Sequence, residues 1–171
     1  MSTPSSGSGL KTFTAVIAVI FGLVLLIGGI YLAVLGGSWY YIIAGLLFIA
    51  TAVLLQKLKS TALIVYALLV LGTVVWGLWE VGSDFFALAP RLDILGLFGL
   101  WLLIPAVTRG FDNAKSAKLV LTGSLAVTIA VMIYAVFNDP QEIRGELSSK
   151  QPATAQSILG VADGDWPAYG R

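Results

Sequence analysis

Between Lys11 and Lys57 the chain runs for forty-five residues, Thr12 to Gln56, without one Lys, Arg, Asp or Glu. A single helix of that length would measure about 67 Å, roughly twice the ~30 Å hydrocarbon core of a bilayer. The run therefore predicts two spans, about Phe13 to Leu35 and Trp39 to Leu55, folded back on each other at Gly36-Gly37-Ser38. Three further apolar runs follow: Thr61 to Trp79, stopping at Glu80; Ile94 to Val107, between Asp93 and Arg109; and Leu119 to Phe137. The fourth run is the shortest. Its fourteen residues give about 21 Å of helix, which fits a re-entrant segment as well as a span. Arg109 can snorkel towards headgroups at its far end, and Phe85-Phe86-Ala87-Leu88-Ala89 can lengthen the apolar path before it. Pro105 falls near its end, where a kink is easily accommodated.

The charged positions orient these spans. Five crossings put Lys11, Lys57, Lys59, Arg109, Lys115 and Lys118 on one side, with Asp112 as the only acid, and put Glu80, Asp84, Arg91 and Asp93 in loops on the other. The excess of basic residues in short loops marks the cytoplasmic side, which places the N-terminus in the cytoplasm and the C-terminal tail outside. Were the fourth segment not to cross, Lys115 and Lys118 would lie outside, against that rule. Trp39, Tyr40, Tyr41, Trp76 and Trp79 all fall at outer span ends, as an interfacial aromatic belt does. The prediction is an all-α, polytopic membrane protein with five transmembrane helices. Residues 1–11 read as a flexible cytoplasmic tail, 12–138 as the transmembrane domain and 139–164 as a periplasmic linker. A cleaved signal peptide is disfavoured, because the first apolar run far exceeds a 7–15-residue signal core and leads into another span. Ala18 with Gly22, Gly29 with Ala33, and Ala126 with Ala130 form small-xxx-small pairs suited to helix packing, although such residues are common in any membrane helix.

Composition narrows the chemistry. The chain is 58% hydrophobic and 11% charged, against about 25% charged for a soluble domain. It holds no Cys and no His, which removes thiolate and imidazole metal sites, Cys–His nucleophiles and disulfides. No basic cluster resembles a nucleic-acid surface. What remains sits at the outer end of the third span, where Trp76, Trp79 and Glu80 lie at helical spacing, followed by Asp84, Arg91 and Asp93. An acid beside aromatic rings at the membrane boundary suits the head of an isoprenoid quinone, with Arg91 or a protonated acid bonding its carbonyls. The competing reading is an aromatic belt with ordinary loop charges and a Glu80–Arg91 pair. The lysines near the inner side suit anionic lipid, but their topological role already accounts for them. The polar tail from Asp139 ends in Asp165-Trp166-Pro167-Ala168-Tyr169-Gly170-Arg171, whose two large aromatics read as entry into a folded extracytoplasmic domain.

These stretches carry a resemblance. Gly36-Gly37-Ser38-Trp39-Tyr40-Tyr41, Leu71-Gly72-Thr73, Trp76 through Gly82, Ala87 through Leu95, and Phe137 through Ile143, in that order, resemble the N-terminal membrane domain of membrane-bound glucose dehydrogenases dependent on pyrroloquinoline quinone (PQQ). The quinate/shikimate enzymes fall in the same family. The closing residues 165–171 resemble the start of that family's periplasmic β-propeller. The resemblance implies a multi-pass anchor in the bacterial inner (plasma) membrane. It would present a PQQ β-propeller, fused or separately encoded, to ubiquinone. PQQ, calcium and the catalytic residues would belong to that propeller, leaving this chain with no catalytic residue, metal or cofactor of its own. It also raises Trp76, Trp79, Glu80, Asp84, Arg91 and Asp93 as quinone-proximal residues. The alternatives are a free-standing anchor subunit of a polyol dehydrogenase and, more remotely, an unrelated small transporter or sensor, against which the lack of internal repeats and of charge in mid-span both argue.

Overall fold

The computed structural model describes residues 6–138, and within them all regular structure is helical. The elements are α1 (Ser6–Val34), α2 (Tyr40–Gln56), α3 (Thr61–Val81), α4 (Phe85–Leu102), a single turn α5 (Pro105–Thr108) and α6 (Ala114–Phe137). Four of them, α1, α3, α4 and α6, are long and apolar enough to cross a membrane, and α2 is a shorter apolar helix of 17 residues. At about 1.5 Å per residue α2 is still roughly 25 Å long. The protein is a polytopic membrane protein. Its outward faces are apolar: Val24, Ile27, Tyr31 and Val34 of α1 and Leu119 of α6 are all at least 65% exposed, surface that only lipid covers without cost.

Helices α1 and α2 form the hairpin expected at Gly36-Gly37-Ser38. Gly36 turns the chain with φ at 83°, a region costly for any residue with a Cβ, and Ser38 Oγ then accepts the Tyr40 N–H at 3.1 Å. The hairpin is held by close backbone approach. A Cβ on Gly45 would lie 2.7 Å from the Gly22 carbonyl oxygen, and one on Gly29 would lie 2.7 Å from the Ile42 nitrogen. In lipid, where water does not drive helices together, such approach supplies the packing energy. Ala18, Gly22 and Gly29 are thus used as helix contacts, whereas Ala126 and Ala130 point outward and are not.

Helix α2 continues onto α3, α3 onto α4, and α6 lies against both α3 and α4. One aromatic ring from each of α1 to α4 meets at the centre: Phe21, Phe48, Tyr66 and Phe98, with centroids 5.4–6.2 Å apart. The Tyr66 hydroxyl donates to the Leu95 carbonyl at 2.7 Å, which satisfies the one polar atom this ring carries into the core.

The fourth span differs from its expected bounds. It begins at Phe85 rather than Ile94 and ends at Leu102, and Pro105 starts the separate turn α5. Asp84 starts the helix by accepting the Ala87 N–H at 3.1 Å, and the helix then runs through Arg91 and Asp93, which the apolar pattern had treated as boundaries. Two contacts place its two ends at opposite ends of the helix bundle. Asp112 accepts the Ser60 N–H at 2.8 Å, joining the α2–α3 and α5–α6 loops at one end. Ser83 Oγ donates to the Asn138 carbonyl at 2.9 Å, joining the α3–α4 loop to the end of α6 at the other. Other helices also outrun their apolar cores. Helix α1 starts at Ser6, inside the stretch read as a tail, and α6 starts at Ala114, so Lys11, Lys115 and Lys118 lie on helix ends. The linker and the propeller-entry residues, 139–171, lie outside the described residues.

Candidate functional site

The ends of α1 to α4 on the side of the α3–α4 loop enclose a cavity of about 500 Å³. Its walls are mostly apolar, from Phe21, Val24, Leu25, Phe48, Ile94 and Leu95, and its polar groups come from Tyr40, Tyr41, Thr73 and Arg91. An apolar chamber of this size with a few convergent polar groups is the usual form of a small-molecule site.

Proton accounting assigns the roles of the polar groups. Thr73 sits one turn beyond Leu69 and donates its single hydroxyl hydrogen to the Leu69 carbonyl at 2.7 Å. Tyr40 and Thr73 hydroxyls are also hydrogen-bonded to each other, so Tyr40 must be the donor and Thr73 the acceptor. The Tyr40 oxygen therefore has lone pairs to offer and no hydrogen. Its ring is held flat against Trp76, with centroids 5.5 Å apart and 10° between planes, and Trp76 in turn meets Trp79 at 4.9 Å.

Donors come from the other side. Arg91 forms an ion pair with Glu80 at 3.2 Å and also donates to the Ala87 carbonyl of its own helix. That second bond falls beside Pro90, which has no N–H and leaves the first turns of α4 short of a donor. The Nε of Arg91 and the indole Nε1 of Trp76 are buried and have no partner. A buried donor without a partner costs about 1–3 kcal/mol, and of the two only Arg91 lines the cavity.

The six residues singled out from sequence therefore divide. Arg91 lines the cavity and pairs with Glu80, Trp76 stacks on the cavity-lining Tyr40, and Trp79, 76% exposed, packs at a tilt of 58° against Trp76. Asp84 caps α4 instead. Asp93 lies about 200° around α4 from Arg91 and lines a separate groove against α6 with Leu92, Thr128 and Met132. The sequence reading had placed Tyr40 and Tyr41 in an aromatic belt and had given Thr73 no role. Their spacing across the hairpin and the third span carries no local signal, because the site is assembled from four helices.

Comparison with known proteins places the chain. It is 61% identical over all 171 residues to quinoprotein glucose dehydrogenase A of Acinetobacter calcoaceticus, covering 21% of that protein. It is 51% identical over 163 residues, 95% of the chain, to quinoprotein glucose dehydrogenase of Escherichia coli K12, covering 20% of it. It is also 37% identical over 103 residues, 58% of the chain, to the glycerol dehydrogenase small subunit of Gluconobacter thailandicus, of which it covers 81%. No family model and no solved structure matches it. The helical membrane fold and these matches define a class, the membrane domains of quinoprotein dehydrogenases. The chain belongs to the family formed by the N-terminal membrane region of quinoprotein glucose dehydrogenases and the glycerol dehydrogenase small subunits. It spans about a fifth of the length of the glucose dehydrogenases it matches.

Proposed function

We propose that this chain is the membrane anchor of a PQQ-dependent sugar dehydrogenase and that it lies where electrons pass to ubiquinone. The observation that carries the anchor reading is the 61% identity across the whole chain to the first fifth of a quinoprotein glucose dehydrogenase. PQQ, calcium and sugar chemistry belong, in this reading, to a periplasmic β-propeller beyond the membrane domain. The chain is oriented with Lys11, Lys57, Lys59, Arg109, Lys115 and Lys118 towards the cytoplasm and residue 138 towards the periplasm of a bacterial inner membrane. A second arrangement, a separately encoded propeller docking on a free-standing anchor, is favoured by the 81% coverage of a glycerol dehydrogenase small subunit.

The cavity beneath the outer surface supports the quinone half of the reading. A head ring fits against the apolar walls, and a carbonyl oxygen on it is an acceptor for Arg91, the donor that lines them. The site is self-neutralised by Glu80, which suits an uncharged ligand. Asp84 and Asp93 act elsewhere, as a helix cap and as the one acid of the α4–α6 groove.

Native membranes carrying an epitope-tagged chain test the anchor reading. PQQ-dependent sugar or polyol oxidation with a quinone acceptor should follow the tag through detergent extraction. An antibody to residues 145–150 then separates the arrangements, since a band far above 18.1 kDa means fusion and a band at 18.1 kDa means a separate subunit. If no PQQ-dependent activity follows the tag, the anchor reading is wrong.

A further inference from the structure

Helix α1 runs along α2 and touches α5, whereas its backbone makes little close approach to α4. Two side-chain contacts bridge them. Phe21 meets Phe98 edge-on at 6.2 Å, and the Trp101 indole donates to Thr14 Oγ1 at 2.9 Å. Between these bridges lies a cleft. Below the head cavity it continues as a second chamber of about 370 Å³ that shares Phe21 and Ile94 with the first and is otherwise lined by Phe13, Ile17, Leu97, Phe98 and Trp101. From Phe21 to Phe13 on α1, and from Ile94 to Trp101 on α4, the cleft runs for about 10–12 Å of helix. Ile94, Leu97 and Phe13 are each more than half exposed, so the cleft opens sideways to the bilayer.

We propose that this α1–α4 cleft seats the isoprenoid tail of a membrane quinone, with the head ring turned outward to Arg91 and the tail entering from the lipid. The proposal rests on the quinone reading given above and adds the ligand's orientation and its path of entry. The two chambers differ in the way the two ends of such a molecule differ. The outer one carries hydroxyls and a guanidinium, and the inner one offers almost nothing but hydrocarbon and aromatic faces. A phospholipid tail fits the inner chamber equally well, but its phosphate would meet an arginine already neutralised by Glu80 at 3.2 Å. An uncharged ring bearing carbonyls fits that end better, because it needs donors and no net charge. Aromatic side chains along the inner chamber suit a branched, unsaturated chain, which packs against ring faces by dispersion.

The test uses the 171-residue chain in lipid nanodiscs with two quinones, one carrying a single isoprene unit and one carrying a long tail. Retained quinone per protein is measured after repeated washing, and copurified phospholipid is measured beside it. Leu97→Trp fills the inner chamber from an exposed position. Val75→Trp, equally exposed on α3 and outside both chambers, controls for the bulky substitution, and circular dichroism confirms that both fold. Leu97→Trp should cut long-tail retention about tenfold and leave short-tail retention unchanged, while Val75→Trp should change neither. Equal long-tail retention in the two variants would overturn the tail seat and leave the head-ring site standing. Phospholipid displaced by Leu97→Trp, with quinone unaffected, would overturn it in favour of an acyl-chain seat. Failure of the unsubstituted chain to hold either quinone would overturn the quinone reading itself.

Discussion

Replacing Arg91 separates the two roles proposed for the outer corner. In the assembled dehydrogenase, Arg91→Ala removes the guanidinium that pairs with Glu80 at 3.2 Å and lines the head cavity. Both partners are about a third exposed, so the ion pair contributes on the order of 1 kcal/mol to folding, and the helix bundle should survive its loss. The effect on quinone is larger. A hydrogen bond from a charged donor to a carbonyl contributes about 1.5–3 kcal/mol, and each 1.4 kcal/mol is about tenfold. Removing it should lower kcat/KM for quinone roughly 10- to 150-fold. Turnover with a soluble dye, which takes electrons without entering the membrane, should hold. Glu80→Gln keeps an acceptor for Arg91 and should cost only a few-fold with quinone. Arg91→Lys keeps the charge but not the fork of donors and should fall between the two. Steady-state rates in proteoliposomes with both acceptors check this. Equal loss with dye and quinone would refute the reasoning, because it would make Arg91 a support of the fold or of docking and nothing more.

Gly45→Val should separate α1 from α2, because even its Cβ would lie 2.7 Å from the Gly22 carbonyl oxygen and from the Leu26 nitrogen; thermal unfolding in detergent should show a loss of several kcal/mol or no folded protein. Tyr66→Phe removes the bond to the Leu95 carbonyl and should destabilise by about 1 kcal/mol in the same assay, with the aromatic cluster otherwise intact. The Ser60 backbone N–H beside Asp112 holds its carboxyl below the usual value. The contact therefore stabilises the fold fully above the ordinary carboxylate range of about 4, and that contribution fades as pH falls through the lowered value; melting of Asp112→Asn should lack this acid limb.

The fold was legible because the bilayer writes it in long apolar runs. Five runs and one glycine turn were enough to count and order the long apolar helices. The fourth misled because charge was taken as an end. Arg91 and Asp93 sit within α4 since Arg91 reaches back to Glu80 and Asp93 turns into the groove by α6, arrangements made by neighbouring helices and invisible along one strand of text. The same holds for the site. Trp76, Glu80 and Arg91 stood out as polar and aromatic residues near a boundary; the structure pairs Glu80 with Arg91 and stacks Trp76 on Tyr40. Thr73 reads as one more residue of an apolar span until α2 places Tyr40 against it.

The hub of four rings also constrains how the chain is made. Phe21, Phe48, Tyr66 and Phe98 arrive from four successive helices, so the centre stays open until α4 has entered the membrane. The glycine-bound hairpin of α1 and α2 can close as soon as it emerges, whereas α3 must wait for Phe98 and for the Leu95 carbonyl that its tyrosine needs. A nascent chain halted before α4 would thus hold a finished hairpin and one helix with an unmet hydroxyl in hydrocarbon, the kind of surface that membrane quality control detects.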